Sequence, residues 1–166
     1  MRRTVFIWGI AAALVGCGSS QNAVERQTKE QKLETQVTDS VNSRSFTVTF
    51  DYVQPRNMIS AHYLTSTYYV KLKDDSVWSE LPYFGRAYRA DISNTDRSPL
   101  SFVSAVQKVT VKRGRKKDYV VYLKLRNGNE WFDYYLNVFP NGKSTLNVSS
   151  SDRESISFTG QMEMNQ

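Results

Sequence analysis

Cysteine and histidine are nearly absent: the 166 residues hold one of each. A lone cysteine forms no internal disulfide, and one Cys with one His cannot complete a Cys/His zinc site. Any Cys–His or Ser–His catalytic pair would have to use His62, in a loop-like stretch after Pro55. No other ligand is spaced around it as a metal site requires, so His62 reads as a surface or packing residue. Gly-rich phosphate loops and Gly-x-Ser-x-Gly elbows are missing. No apolar run reaches the ~20 residues that a spanning helix needs. Asp74-Asp75 lacks the acidic series of a calcium loop and reads as a turn. We expect no metal and no cofactor.

The single cysteine has a specific context. Arg2 and Arg3 precede an uncharged, mostly apolar stretch from Val5 to Gly16. That stretch is the length of a signal-peptide core. It ends in Leu14-Val15-Gly16-Cys17, which resembles the bacterial lipobox. The small residue admits the peptidase to the backbone, and the Cys17 thiol carries the diacylglycerol. One acyl chain anchors marginally, at about 0.8 kcal/mol per buried CH₂, whereas two or three anchor durably. The polar run Gly18 to Asn22 follows as a tether would. Cleavage before Cys17 removes Arg2 and Arg3 and lowers the formal charge from +6 to +4. It also leaves no thiol except the lipidated one, which suits an oxidising compartment.

We therefore divide the chain into a signal peptide (1–16), a partly helical or disordered tether (17–43) and an all-β domain (44–166). In the tether, Leu33, Val37 and Val41 recur every four residues as one thin helical stripe. After Ser43 the period becomes two. Phe46, Val48, Phe50 and Tyr52 alternate with Thr47, Thr49 and Asp51, and the same pattern returns around Val70, Val109, Leu123, Phe132, Leu146 and Phe158. Asp74-Asp75, Asn127-Gly128 and Pro140-Asn141-Gly142 are turn signals, and Gly160 marks a bulge or close approach. Roughly seven to nine short strands in a meander give an antiparallel sandwich or small barrel.

Leu81-Pro82-Tyr83-Phe84-Gly85-Arg86-Ala87-Tyr88 stands out. Tyr83, Phe84, Arg86 and Tyr88 could form an aromatic and guanidinium platform for a sugar ring or an anion, or a corner that plugs the core. Together with Leu64-Thr65, Tyr68-Tyr69-Val70, Asn141-Gly142, Leu146-Asn147-Val148, Arg153 and Ile156 to Gly160, this run resembles the bacterial domain-of-unknown-function family DUF4251. The resemblance spans about Phe46 to Glu163. It implies a Bacteroides-like, Gram-negative source and no established activity, so no catalytic residue carries over. It also implies that acidic residues just after the lipid-bearing Cys favour export to the cell surface. Gly18 to Asn22 has none, which favours the periplasm.

Lys112, Arg113, Arg115, Lys116 and Lys117 form a basic hairpin tip, suited to an anionic surface or to solvent alone. Glu80, Asp91, Asp96, Glu130 and Asp133 could include a glycosidase pair. The reading that follows is a non-enzymatic, membrane-anchored envelope module facing the periplasm. Its partners are the membrane, through lipid on Cys17, and an envelope glycan or protein, with no nucleic acid. A concave sheet face or barrel mouth would hold the ligand. The alternatives are a glycan hydrolase with paired carboxylates and a structural protein touching anionic lipid through the basic tip.

Overall fold

The computed structural model describes residues 19–56, 61–89 and 97–164. The Leu14–Cys17 box and Asp91 and Asp96 lie outside them. One helix, α1 (Ser19–Asn42), precedes nine strands. These are β1 (Phe46–Pro55), β2 (His62–Lys73), β3 (Ser76–Glu80), β4 (Ser101–Ala105), β5 (Lys108–Arg113), β6 (Tyr119–Asn127), β7 (Glu130–Val138), β8 (Lys143–Ser150) and β9 (Ile156–Met162). All pair antiparallel in a single sheet ordered β4-β3-β2-β1-β9-β8-β7-β6-β5.

The sheet curls into a half-barrel rather than splitting into a sandwich. Its two edge strands, β4 and β5, are consecutive in the chain and form one bent path. The first half pairs with β3 and the second with β6. At the seam the Ser104 hydroxyl donates to the Arg126 carbonyl at 2.9 Å, and the Gln107 N–H donates to the Lys124 carbonyl at 2.9 Å. The curl thus removes much of the open edge that a flat sheet would expose.

Alternation decides which side chains face inward. Val121, Leu123 and Leu125 of β6, and Phe132, Tyr134, Leu136 and Val138 of β7, are all buried, as their period of two requires. They meet Val48, Phe50, Leu72, Leu146, Phe158 and Met162 in one core. The interior is filled by these side chains. Branched and aromatic inward residues occupy the space between the strands. One polar pair crosses this core. The Ser79 hydroxyl donates to the Leu100 carbonyl at 2.7 Å and is bonded to the Tyr134 hydroxyl at 2.9 Å. Burial pushes the Tyr134 phenol well above its usual range, and the bond to Ser79 only partly opposes this.

Helix α1 is part of the same unit. Val37 and Val41, from the stripe read as a tether, are fully buried in the core. The Tyr119 hydroxyl donates to Thr38 Oγ1 at 3.2 Å. Residues 23–32, by contrast, are all exposed. The helix stops in a Schellman turn, with the Ser45 N–H on the Ser40 carbonyl and the Arg44 N–H on that of Val41. Arg44 holds the left-handed φ of 54° that glycine usually takes there.

At Gly160 the expected close approach is present. A Cβ there would strike the Thr49 carbonyl oxygen and lie 2.7 Å from Phe50 Cα. The register of β1 against β9 shifts between Phe50 and Tyr52, directly beside it.

Candidate functional site

The Leu81–Tyr88 segment leaves β3 and docks on the connection between β8 and β9. Ala87 forms an isolated bridge with Arg153. The Tyr88 N–H donates to the Asp152 carbonyl at 2.7 Å, and the Glu154 N–H donates to the Arg86 carbonyl at 3.1 Å. Tyr83 folds back under this strap. Its hydroxyl donates toward two carbonyls, Arg86 at 3.0 Å and Glu154 at 3.1 Å. Gly85 makes the fold-back feasible, since a Cβ there would sit 2.6 Å from the Tyr83 hydroxyl.

A second layer fixes Tyr83. The Arg153 guanidinium lies over its ring, 5.6 Å from the centroid. Arg153 Nε in turn donates to both Glu130 carboxylate oxygens, at 3.0 and 3.1 Å. Ser150 donates a short bond to Glu130 as well. The Arg153–Glu130 pair is largely shielded, with side-chain exposures of 14% and 13%, so solvent screens it less than a surface bridge. Burial raises the Tyr83 phenol above its usual range, opposed by the charge of Arg153.

The four candidates therefore separate. Tyr83 is half-buried and holds the strap. Phe84 is 44% exposed and Tyr88 70% exposed. Tyr83 and Phe84 line a cleft of about 710 Å³, whereas Arg86 and Tyr88 do not. The opposite wall comes from Tyr68 on β2 and from Arg97, Ser98 and Pro99 ahead of β4. Glu80 is the only carboxylate lining it among the described residues. The cleft thus combines aromatic rings, a guanidinium, a carboxylate and hydroxyls, a set that suits a ring-shaped polar ligand. Arg97 and Tyr68 were not singled out from sequence. Tyr68 sits in an ordinary strand pattern, and Arg97 reaches the site only because β4 returns beside β3.

Of the other carboxylates weighed for hydrolysis, Glu130 is bound by Arg153 and Ser150. Asp133 accepts the Tyr122 hydroxyl at 2.6 Å. No group of three or more Cys, His, Asp or Glu residues that could hold a metal occurs among the described residues. His62 is exposed at the start of β2. No described helix is long and apolar enough to cross a membrane.

The basic tip sits at the other end of the sheet, against α1. Arg113 Nη2 and Lys117 Nζ approach the two Glu34 carboxylate oxygens at 3.3 and 2.9 Å. Arg113 also covers the Tyr119 ring. Lys112, Arg115 and Lys116 are exposed. The tip therefore spends two of its five cations on holding the helix.

Comparison with known proteins adds a family and a fold. The family model described as "Domain of unknown function (DUF4251)" matches residues 28–162. A crystal structure of a DUF4251 family protein from Bacteroides eggerthii DSM 20697 is similar at a TM-score of 0.64 and 10% identity, over 83% of this chain and 91% of that one. At that identity the likeness is one of fold. No curated protein matches the chain.

Proposed function

The chain belongs to the DUF4251 family, and we propose that it is a lipid-anchored, non-enzymatic binding module of the cell envelope, facing the periplasm. The observation that carries this reading is the Tyr68–Phe84–Arg97 cleft, walled by a strap that is itself pinned by Tyr83, Arg153 and Glu130. A rigid wall spares a ligand the entropy of ordering it. The chemistry of the wall supports binding: rings, a guanidinium and hydroxyls surround a single carboxylate, Glu80, among the described residues.

The position of the cleft agrees with an anchor at Cys17. α1 joins β1 at Phe46, while the strap docks beside Ile156, which pairs with Pro55 at the far end of β1. Ten extended residues separate those ends by about 30 Å. The exposed part of α1, residues 23–32, is about 15 Å of polar helix on the anchor side. Glu25 and Lys29, and Arg26 and Glu30, stand four apart with opposite charge, a spacing that supports a solvated helix. A lipid at Cys17 would thus hold the cleft out from the membrane rather than against it. The alternative contact of the basic tip with anionic lipid fits less well, since Arg113 and Lys117 are engaged by Glu34.

Cosedimentation of the detergent-solubilised full chain with purified peptidoglycan sacculi tests the binding reading. We expect retention in the pellet, lost in Phe84→Ala and in Arg97→Gln while the fold persists. Equal pelleting of the wild type and both variants would rule out the cleft. Tyr83→Ala is a poor probe, because removing the strap's anchor disturbs the wall itself.

A further inference from the structure

We propose that the outer face of β5–β7 is a second binding surface, for an acidic polysaccharide strand. It lies on the solvent side of the sheet and is independent of the cleft.

Register assembles it. Tyr122 stands opposite Tyr135, Lys124 opposite Asp133, and Arg126 opposite Trp131. Lys108 on β5 stands opposite Lys124. The Tyr122 and Tyr135 rings lie 4.9 Å apart at 39°. Trp131 carries two cations, Lys124 Nζ at 5.3 Å and the Arg126 guanidinium at 5.4 Å from its ring centroid. Trp131 is 37% exposed and Tyr135 46% exposed, which is unusual for large rings that could have faced the core.

Charge selects the ligand. Lys108, Lys124 and Arg126 form no ion pair among the described residues. Asp133, the one carboxylate on these strand positions, is occupied by the Tyr122 hydroxyl at 2.6 Å. That bond pushes the Tyr122 phenol up to about 12 and keeps it a neutral donor. The face is therefore a cationic rim around flat rings. Ring faces take the C–H faces of sugars, and the rim takes carboxylates at the sugars' edges.

Shape selects a strand rather than a single sugar. Trp131 and Tyr135 are four residues apart on one strand, about 13 Å. A ligand covering both rings must be extended. On β8, Ser149 and Asn147 lie opposite Asp133 and Tyr135 and continue the face with hydroxyl and amide groups for sugar hydroxyls. The outward positions of β7 carry no aliphatic side chain to enter a lipid surface.

Affinity electrophoresis of the detergent-solubilised full chain through polygalacturonate tests the proposal. We expect retardation by polygalacturonate, weakening as salt rises, and none by neutral dextran. Trp131→Ala and the pair Lys124→Gln/Arg126→Gln should each weaken binding about tenfold. The charge pair leaves the rings in place, so it decides the matter if Trp131→Ala fails to fold. Phe84→Ala should bind polygalacturonate as the wild type does, which separates this surface from the cleft. The proposal is overturned by no retardation, by equal retardation in dextran, or by unchanged binding in the charge pair. Tighter binding to phosphatidylglycerol vesicles or to single-stranded oligonucleotide than to polygalacturonate would overturn it too. So would loss of binding on changing Arg115 and Lys116 to Gln.

Discussion

At the scale of residues, a few backbone positions and hydroxyls carry more than their size suggests. Gly160 lies where β1 and β9 approach too closely for any side chain. Gly160→Ala should cost about 3 kcal/mol, seen as a lower urea midpoint with an unchanged slope. Arg44 is the opposite case. Its left-handed φ of 54° ends α1 at an energetic cost that glycine would not bear. Its ion pair with Asp75, at 3.7 Å and well exposed, offsets little of that. Arg44→Gly should therefore raise the midpoint, by about 0.5–1 kcal/mol of stability.

Tyrosines give the pH dependence. Tyr122 is held up to about 12 by its bond to Asp133, against an unfolded value near 10. The folded state then keeps a proton that the unfolded chain has lost. This contribution to stability is intact below about pH 10 and disappears as pH rises toward 12. Tyr122→Phe should show a shallower loss of stability across that window in pH-jump denaturation.

At the scale of elements, the strands were legible because their apolar residues alternate and their turns carry Asp-Asp, Asn-Gly and Asn-Gly again at 141–142. β4 was not legible. Ser101 to Ala105 offers only Phe102 to the interior, and Val103 is 64% exposed. The strand exists because it continues into β5 and closes the seam. α1 was half legible. The valines spaced by four revealed a helix, but periodicity alone could not show that Val37 and Val41 plug the curled sheet. That contact depends on where β1 starts. The helix should accordingly divide in hydrogen exchange, fast through Lys32 and protected from Leu33 onward. Val37→Ala or Val41→Ala should each destabilise by about 2 kcal/mol.

The candidate site was legible in part for the same reason. The Leu81–Tyr88 run was conspicuous, but its roles depend on partners far away in sequence. Glu154 and Arg153 turn Tyr83 into a strut, while Arg97 and Tyr68 turn Phe84 into a wall. The outer-face rings Tyr122, Trp131 and Tyr135 are not singled out by the sequence pattern. Only the register of β6 on β7 brings Trp131 to Arg126 and Tyr122 to Tyr135.

At the scale of the whole molecule, the proposed lipid on Cys17 would hold the β-domain from the end where α1 joins β1, with the cleft at the opposite end of that strand. The lone cysteine, which excludes an internal disulfide and a Cys/His zinc site, is the point on which that proposal depends. Its most direct test is metabolic labelling of cells with an alkyne fatty acid, followed by membrane fractionation of the wild type and Cys17→Ser. The account predicts a labelled, membrane-bound wild type and an unlabelled Cys17→Ser protein released from the membrane. An unlabelled wild type, or label persisting in Cys17→Ser, would contradict it.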